Sequence, residues 1–560
     1  MQKEMESKCS VTKKINQREL ILEGLIHIVE HKEFSHMAIN QLLSKHQELD
    51  KRSRAFISHV IIGTLEHLLE MDYIINQFSN IKVKKMKPVI RNVLRSGVYQ
   101  LKYMDNIPPS AVCNEAVNIV SKRGFKNLTG FVNGILRNIA RNLEQLSYPT
   151  DLLSYLEVRY SIPVWIIKLW LEDGYFKDFE GNPDWNKIQE VAKALQEKRP
   201  LTIRTNLSKI EPKVLKEKLE SHGVTVEEHP YLSYAFKLSG LDYLEALEDF
   251  KEGNFYVQDV SSMLVAEVLS PEADSVDSVV LDCCAAPGGK ALHLADKIRV
   301  IEAKRAIGVD TKVSRIPKDD TEISRAPKGD IEISRAFKRD TETNPEESKE
   351  PEVSKRTTQV LAWDLTDRKV ALIRENIART GFENIKASKK DATILDKEWV
   401  GKADIVLADV PCSGLGILGK KPDLRYNASL EGIEELVQLQ QNILTNACAY
   451  VKPQGVLIFS TCTINSRENL ENVRWLLENF PEFQLVPIWD DLPEKLKEEL
   501  EKQGKRKQIN SSIFDNQQDE IEQVEIEQIE IEHIKESTLQ LLPGINDCDG
   551  FFISKFRKCL

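Results

Sequence analysis

Near its middle the chain carries the run Val279-Val-Leu-Asp-Cys-Cys-Ala-Ala-Pro-Gly-Gly-Lys290. Apolar residues lead to Asp282, a turn of small residues follows, and an amphipathic segment begins at Lys290. This order predicts a strand, a tight turn and a helix, and in an open parallel sheet such a turn lies where cofactors bind. The turn has neither the GxGxxG spacing of dinucleotide sites nor the GxxxxGK[ST] of phosphate loops. The pattern therefore argues against NAD and ATP as ligands.

Four further segments predict strands that end in polar or thiol residues, and helical patterns alternate with them. They are Gln359–Asp364, Ile385–Asp391, Ala403–Asp409 and Gly455–Thr463. The alternation predicts a doubly wound, Rossmann-like α/β domain over residues 256–560. Because the carboxyl ends of parallel strands meet at one edge, we expect Cys412 and Cys462 at the same rim, where paired thiols favour chemistry over packing.

Two segments of this domain do not fit the sheet, at about 303–356 and 504–536. The first contains a ten-residue repeat that starts at Asp310, and its charge and prolines predict a disordered insertion. We assign no function to the second. The first insertion leaves two candidates for the acidic residue that accepts hydrogen bonds from a ribose, Asp364 and Asp310. We prefer Asp364 because a helical pattern follows it.

The amino-terminal part, residues 1–148, predicts a helical bundle. Between Ile81 and Asn142 it has twelve Lys and Arg against two Asp and Glu, which fits either an RNA-binding face or a solvated basic surface. The net charge of -10 conceals this basic part, since residues 515–536 hold nine acidic residues and one lysine. Residues 149–255 predict a small α/β module. Its Arg204 and Asn206 are either RNA contacts or, with more weight, solvated strand residues.

Length and composition limit the class of protein. A chain of 560 residues is expected to form several domains. It has no apolar run of about 18 residues, and its charged start is unlike a secretory signal. The nine cysteines are scattered, which argues against a disulfide framework or a metal site and for a reducing, cytoplasmic location. Nothing in the sequence requires a dimer, so we expect a monomer.

Three motifs of the carboxy-terminal domain carry a family resemblance. Asp282–Lys290, Asp409-Val-Pro-Cys-Ser-Gly414 and Ser460-Thr-Cys-Thr463 resemble motifs of RNA 5-methylcytosine methyltransferases. Residues 89–138 resemble the NusB-like RNA-binding domain, and the ending Leu541–Ile553 is also similar to the bacterial 16S ribosomal RNA methyltransferases of the Sun/RsmB type. The resemblance covers most of the chain outside the two insertions.

The resemblance implies S-adenosylmethionine as cofactor. It implies that Asp364 takes the ribose hydroxyls, that Asp391 lies near the adenine, and that Asp409 sits between cofactor and base. The remaining cofactor-binding residues that it implies form the turn itself: Cys284, Ala285, Ala286, Pro287, Gly288, Gly289 and Lys290.

The resemblance also implies a reaction and a partner. Cys462 is the expected nucleophile, Cys412 helps to release the product, and Lys290 and Asp409 hydrogen-bond the base. The expected product is 5-methylcytosine in 16S ribosomal RNA or an assembling small subunit, at the cytosine conventionally numbered 967. Two alternatives remain, a transfer RNA methyltransferase and a non-catalytic ribosome-assembly factor. The NusB-like part argues against the first, and the two thiols argue against the second.

Overall fold

The computed structural model describes residues 16–178, 180–241, 243–269, 278–306, 358–503 and 536–559. Nearly all of both predicted insertions, and with them Asp310, lies outside the described residues. Residues 303–306, which the sequence assigned to the first insertion, instead continue the helix Gly289–Ala306. None of the helices within the described ranges combines the length and the apolar character needed to cross a membrane.

The chain divides into two compact units. One comprises the residues up to Glu197 together with Leu418–Ser429, and the other comprises Lys198–Ile417 and Leu430–Leu560. This division differs from the three domains expected from sequence, because the helices of residues 152–194 group with the amino-terminal bundle. The strands of the small module group with the carboxy-terminal domain.

The first unit is helical. The helices between Gln17 and Arg141 have apolar residues at 3.6-residue spacing and bury one face in a shared, mostly aliphatic core, and Asn16 and Asp50 cap two of them with side-chain oxygens. The α-helices span Gln17–Leu25, Ser35–Ser44, Lys51–Glu66, Leu68–Phe78, Pro88–Tyr103, Pro109–Lys122, Thr129–Arg141, Leu152–Tyr160, Val164–Glu172, Trp185–Ala194 and Leu424–Asn427.

The second unit contains a small antiparallel sheet in the order β2-β3-β1-β4. Its strands are β1 (Leu201–Thr205), β2 (Thr225–Glu228), β3 (Ala235–Ser239) and β4 (Phe255–Val257), and its helices are Pro212–Ser221 and Glu248–Lys251. The alternatives weighed for Arg204 and Asn206 are both wrong, since each side chain is fully buried. The Arg204 guanidinium pairs with Asp296 at 3.4 Å, and Asn206 donates to the Gly253 carbonyl at 2.6 Å.

A larger sheet forms the rest of this unit, in the order β10-β12-β9-β8-β5-β6-β7 with β11 paired to β12. Strands β5 to β9 are parallel, as predicted, and β10, β11 and β12 add an antiparallel extension. The strands are β5 (Val279–Asp282), β6 (Gln359–Asp364), β7 (Ile385–Lys389), β8 (Ala403–Asp409), β9 (Val451–Thr461), β10 (Phe483–Leu485), β11 (Thr538–Leu541) and β12 (Phe551–Lys558). The α-helices are Val260–Glu267, Gly289–Ala306, Asp367–Thr380, Leu430–Tyr450, Leu470–Asn479 and Glu494–Lys502.

The order of the parallel strands places the site. From β5 the chain continues to β6 and β7 on one side, and β8 and β9 lie on the other side of β5. Ligands of such sheets bind at the carboxyl ends of the strands where the order reverses. The turn at 283–288 follows β5 and therefore lies at this switch point.

Candidate active site

The turn after β5 is held by backbone hydrogen bonds to its neighbours. The amide of Ala285 donates to the Trp363 carbonyl at 2.8 Å, and the amide of Cys284 donates to the Asp282 carboxylate at 3.3 Å. Gly288 has a φ of 107°, a conformation that side chains rarely adopt. A Cβ at Gly289 would lie 3.2 Å from the ring of Tyr256, whose hydroxyl donates to the Pro287 carbonyl. Glycine at both positions lets the turn close against its neighbours.

The structure brings Asp364 to this turn. Its carboxylate accepts from the amides of Ala286 at 3.0 Å and Leu365 at 2.7 Å, and Lys369 lies 3.1 Å away. Asp391 is placed differently from expectation, because β7 ends at Lys389 and leaves it in the following loop. Its carboxylate accepts hydrogen bonds from Thr393, and these bonds lower its pKa.

A pair of opposite charges lies beside the turn. Nζ of Lys290 donates to Asp409 at 2.7 Å, and the other oxygen of Asp409 accepts from the Ser460 hydroxyl at 2.8 Å. The ammonium group of Lys290 also lies 5.0 Å from the centre of the Phe551 ring. Both predicted residues therefore meet, and β9 and β12 supply contacts that the sequence did not indicate.

Burial and neighbouring charges shift the pKa values of Asp282 and Lys290. Burial and the nearby charge of Asp409 raise the pKa of Asp282 to about 8. Burial alone would lower the pKa of Lys290, but the charge and hydrogen bond of Asp409 raise it, with help from Asp282 and Cys462. Lys290 therefore stays cationic, within electrostatic reach of the Cys462 sulfur.

The two predicted cysteines meet at the ends of β8 and β9. Sγ of Cys412 and Sγ of Cys462 are 3.3 Å apart, and both residues are partly exposed. The hydrogen bond with Cys462, burial and the charge of Glu468 raise the pKa of the Cys412 thiol. Cys283 by contrast is buried in the core. The charge of Lys290 therefore acts on Cys462, and the charge of Glu468 acts on Cys412.

Three loops contact one another through backbone hydrogen bonds, and two of them carry Cys412 and Cys462. The amide of Gly416 donates to the Cys462 carbonyl at 3.1 Å, and the amide of Gly550 donates to the Gly416 carbonyl at 3.0 Å. A Cβ at Gly416 would lie 2.2 Å from the Gly550 carbonyl oxygen. The glycines therefore allow the two cysteine loops and the carboxy-terminal loop to touch. Sequence reasoning missed Gly550, Ser460 and Phe551 as site residues, although each lies inside or next to a motif that it quoted.

The turn fits S-adenosylmethionine on two observations. Asp364 places a buried carboxylate against the turn, where a ribose diol can donate to it. One oxygen of Asp282 is buried and lacks a hydrogen-bond partner among the residues that the structure describes.

Among the residues that the structure describes, one group of potential metal ligands occurs in the first unit, where the sequence indicated none. His27, His31 and Glu33 place ligand atoms within 4.8 Å of one another, and Nδ1 of His27 lies 2.9 Å from the Glu33 carboxylate. All three side chains are at least partly exposed, and the His27–Glu33 contact already engages two of them. We assign no metal to this group.

Comparison with known proteins identifies all three parts of the chain. The family model for 16S rRNA methyltransferase RsmB/F matches residues 348–557, the NusB family model matches 15–141, and that for the ferredoxin-like domain of RsmF/B-like methyltransferases matches 163–241. A crystal structure of the protein PH0851 covers 97% of this chain and 99% of its own, with a TM-score of 0.65 and 22% identity, and supports the fold.

Curated relatives span almost the whole chain. The probable ribosomal RNA small subunit methyltransferase B of Bacillus subtilis is 28% identical over 98% of this chain and 99% of its own length. The ribosomal RNA small subunit methyltransferase B of Vibrio cholerae is 26% identical over 84% of this chain and 91% of its own. The chain has the NusB, ferredoxin-like and catalytic parts in this order, is similar to RsmB/F methyltransferases in all three, and is an S-adenosylmethionine-dependent RNA methyltransferase.

Proposed function

We propose that this enzyme methylates carbon 5 of a cytosine in 16S ribosomal RNA, the cytosine conventionally numbered 967, through a covalent bond between Cys462 and the base. The observation that carries the proposal is the 3.3 Å approach of the Cys412 and Cys462 sulfurs at the carboxyl ends of neighbouring strands. The Lys290–Asp409 pair beside them supplies charge and hydrogen bonds at the same rim. The names of the curated relatives support the ribosomal substrate.

The chemistry explains why a thiol is needed. Carbon 5 of cytosine is a poor nucleophile, and a thiolate that adds to carbon 6 turns the ring into an enamine. S-adenosylmethionine supplies an electrophilic methyl group on a sulfonium. Carbon 5 forms a bond to that methyl as the bond from methyl to sulfur breaks. A base then takes the proton from carbon 5, and the bond from Cys462 to carbon 6 breaks, which releases methylcytosine.

The surrounding residues fit these steps. The thiolate is the reactive form of cysteine, and the cationic Lys290 favours it on Cys462. The contact with Cys462, burial and the Glu468 charge keep Cys412 protonated at rest, so Cys462 is the sulfur that adds to carbon 6 and leaves it again as a thiolate once the carbon-5 proton is lost. Asp409 holds Lys290, and the pair can hydrogen-bond the exocyclic edge of the base. The cytosine must leave its stack to reach the thiol.

The first experiment tests the substrate. The protein is incubated with labelled S-adenosylmethionine and unmodified 16S RNA or small subunits, and the label is mapped. We expect label in one cytosine of 16S RNA. Label only in transfer RNA would instead make this a transfer RNA enzyme, and RNA binding without transfer would make it an assembly factor.

The second experiment tests the cysteine roles. The variant Cys462→Ala is expected to bind RNA but to lose methylation, since no thiol remains to activate carbon 5. The variant Cys412→Ala is expected to accumulate a covalent protein–RNA adduct, visible as a shifted band on a denaturing gel. Cys448→Ala is the matched control, because that buried thiol lies in the core on the helix Leu430–Tyr450 and its loss should produce neither effect. An active Cys462→Ala enzyme would refute the mechanism.

A further inference from the structure

Glu468 is a fully buried carboxylate that follows the Thr-Cys motif by a few residues. It ends the short 3-10 helix Ser466–Glu468, whose first turn Asn465 caps by accepting from the Arg467 amide. Burying a carboxylate is costly unless hydrogen bonds compensate for the lost water. The groups that donate hydrogen bonds to Glu468 therefore identify the loops that this residue stabilises.

The donors to Glu468 come from both cysteine loops. The amide of Ser413 donates to one carboxylate oxygen at 2.8 Å, and the Ser413 hydroxyl donates to the other. The Asn465 amide group donates to the second oxygen at 3.2 Å. Ser413 directly follows Cys412, and Asn465 lies shortly after Cys462, so one carboxylate joins the backbone next to one thiol to the loop that carries the other.

Gln440 completes the support on the other side of Cys412. Its Nε2 donates to the Pro411 carbonyl at 2.9 Å and to Glu468 at 3.0 Å. Its Oε1 accepts from Asn472 at 2.8 Å. The residues before and after Cys412 are therefore both held, one through Gln440 and one by Glu468 directly.

A separate set of contacts holds the Cys462 loop. Asn469 accepts from the Thr461 hydroxyl at 2.6 Å and donates to the Thr463 carbonyl at 3.2 Å. The hydroxyls of Ser413 and Thr463 lie 2.9 Å apart and join the two loops. Loss of Glu468 thus loosens the Cys412 loop, while Asn469 still supports the Cys462 loop.

Charge adds a second effect. The anion of Glu468 lies on the Cys412 side of the pair and contributes to raising the pKa of that thiol, after the contact with Cys462 and burial. The charge of Lys290 interacts with Cys462. The two ionisable groups therefore bias the pair in one direction, with the proton on Cys412 and the negative charge on Cys462.

We propose that Glu468 is a positioning residue that fixes the Cys412 thiol against Cys462. Its charge lies next to the Cys412 loop, so Cys412 remains a thiol while the Cys462 thiolate adds to carbon 6 and later leaves it. This inference rests on the proposed function, because it assigns Glu468 to the step that Cys412 serves.

The test uses Glu468→Gln, which removes the charge and keeps the shape, and Glu468→Asp, which keeps the charge. We expect Glu468→Gln to lower kcat by about 10- to 100-fold, with KM for both substrates within about twofold, because binding does not involve this residue. Glu468→Asp should recover a large part of that loss. Glu435→Gln is the control, since Glu435 is exposed on the helix Leu430–Tyr450. A Glu468→Gln enzyme with the control's kcat would overturn the proposal.

A double-mutant comparison separates positioning from general loosening. In a Cys412→Ala background, Glu468→Gln should leave the rate of adduct formation unchanged, because the residue acts through Cys412. A slower adduct in the double variant would show that Glu468 merely stabilises the site, and would overturn the proposal. Absence of any adduct with Cys412→Ala alone would instead refute the proposed cysteine roles. Should Glu468→Gln not fold, Ser413→Ala replaces it, and an unchanged kcat there would likewise contradict the proposal.

The pH dependence of alkylation provides a readout on the charge. In a Cys462→Ala background, the rate at which iodoacetamide labels Cys412 is followed by mass spectrometry of its peptide. Glu468→Gln should move the midpoint of labelling to lower pH, since an anion that opposes the thiolate is gone, and Glu468→Asp should not. A midpoint that is the same in all three proteins would exclude the electrostatic part of the proposal.

Discussion

Lys290 belongs to two parts of the site. It directly follows the glycine turn, in the first turn of the helix Gly289–Ala306, and its ammonium group binds Asp409 at the end of β8. The turn is the expected cofactor site, and Asp409 lies on the expected base side. A single side chain thus connects the two halves of the proposed reaction, and its charge favours a thiolate on Cys462.

We predict that Lys290→Met lowers the methylation rate by about 100-fold or more, as loss of one charged donor in an active site commonly does. The residual activity should need a higher pH, because removing the cation makes the Cys462 thiolate less favourable. The measurement is the pH profile of adduct formation in the Cys412→Ala background. Lys495→Met, at a surface pair with Glu498, is the control. If Lys290→Met leaves the pH profile of adduct formation unchanged, Lys290 does not act on Cys462.

Individual residues differ in how far the sequence reveals them. Asp364 and Asp409 could be placed because each ends an apolar run, and the sheet brings such ends together. Arg204 could not, because its partner Asp296 lies far along the chain and an alternating strand pattern does not show which face is covered. Glu468 carries no motif at all, and its role depends on donors from Ser413 and Gln440 that only the folded chain assembles.

At the scale of elements, the site depends on loops that meet at glycines. The Pro-Cys loop, the Thr-Cys loop and the loop before β12 touch through the backbones of Gly416, Cys462 and Gly550. A Cβ on Gly416 would come within 2.9 Å of the Cys462 carbonyl and 2.6 Å of the Gly550 carbonyl carbon. Backbone atoms cannot rotate aside as a side chain can, so one of the loops would have to move.

We predict that Gly416→Ala lowers the free energy of unfolding by about 1–3 kcal/mol through overpacking. It should also reduce methylation more than stability alone explains, because the displaced loops carry both thiols. Denaturant unfolding and single-turnover methylation at low temperature measure the two effects. The control is Gly174→Ala, where an added Cβ meets nothing within 4 Å. Full activity in Gly416→Ala would show that the crossing is not needed to position the thiols.

The five parallel strands could be predicted because buried strands read as apolar runs with polar ends. The antiparallel extension formed by β10, β11 and β12 could not. β10 has only three residues, and β11 pairs with β12 across the loop that carries Gly550. Strand β4 could not be predicted either, because it has only three residues and is defined by its pairing with β1.

At the scale of the whole molecule, the order of residues along the chain and their grouping in space disagree. Leu418–Ser429 follows the Pro-Cys loop in sequence, yet it belongs to the helical unit. The apolar pattern of the sequence could not predict this grouping, because the segment binds the helical unit through hydrogen bonds to backbone carbonyls. The family resemblance predicted the three domains and their order along the chain. It did not predict that Leu418–Ser429 would group with the helical unit.

Arg425 binds this segment to the rest of the helical unit and is fully buried. Its guanidinium donates to the carbonyls of Glu66 at 2.9 Å, Tyr160 at 3.4 Å and Leu195 at 2.7 Å. The hydroxyl of the next residue, Tyr426, donates to the Leu65 carbonyl at 2.8 Å. One cation thus donates to carbonyls at the ends of three helical segments, where carbonyls lack partners within the helix.

We predict that Arg425→Ala destabilises the helical unit by about 3 kcal/mol, since buried carbonyls lose charged donors. For a unit of this size the loss corresponds to a fall in melting temperature of about 6–12 °C. The experiment is thermal unfolding followed by circular dichroism, together with limited proteolysis to identify which unit opens first. Lys421→Ala, an exposed residue of the same segment, should leave both unchanged. If cleavage in Arg425→Ala begins in the second unit while the helices stay protected, the segment is not fastened by this residue.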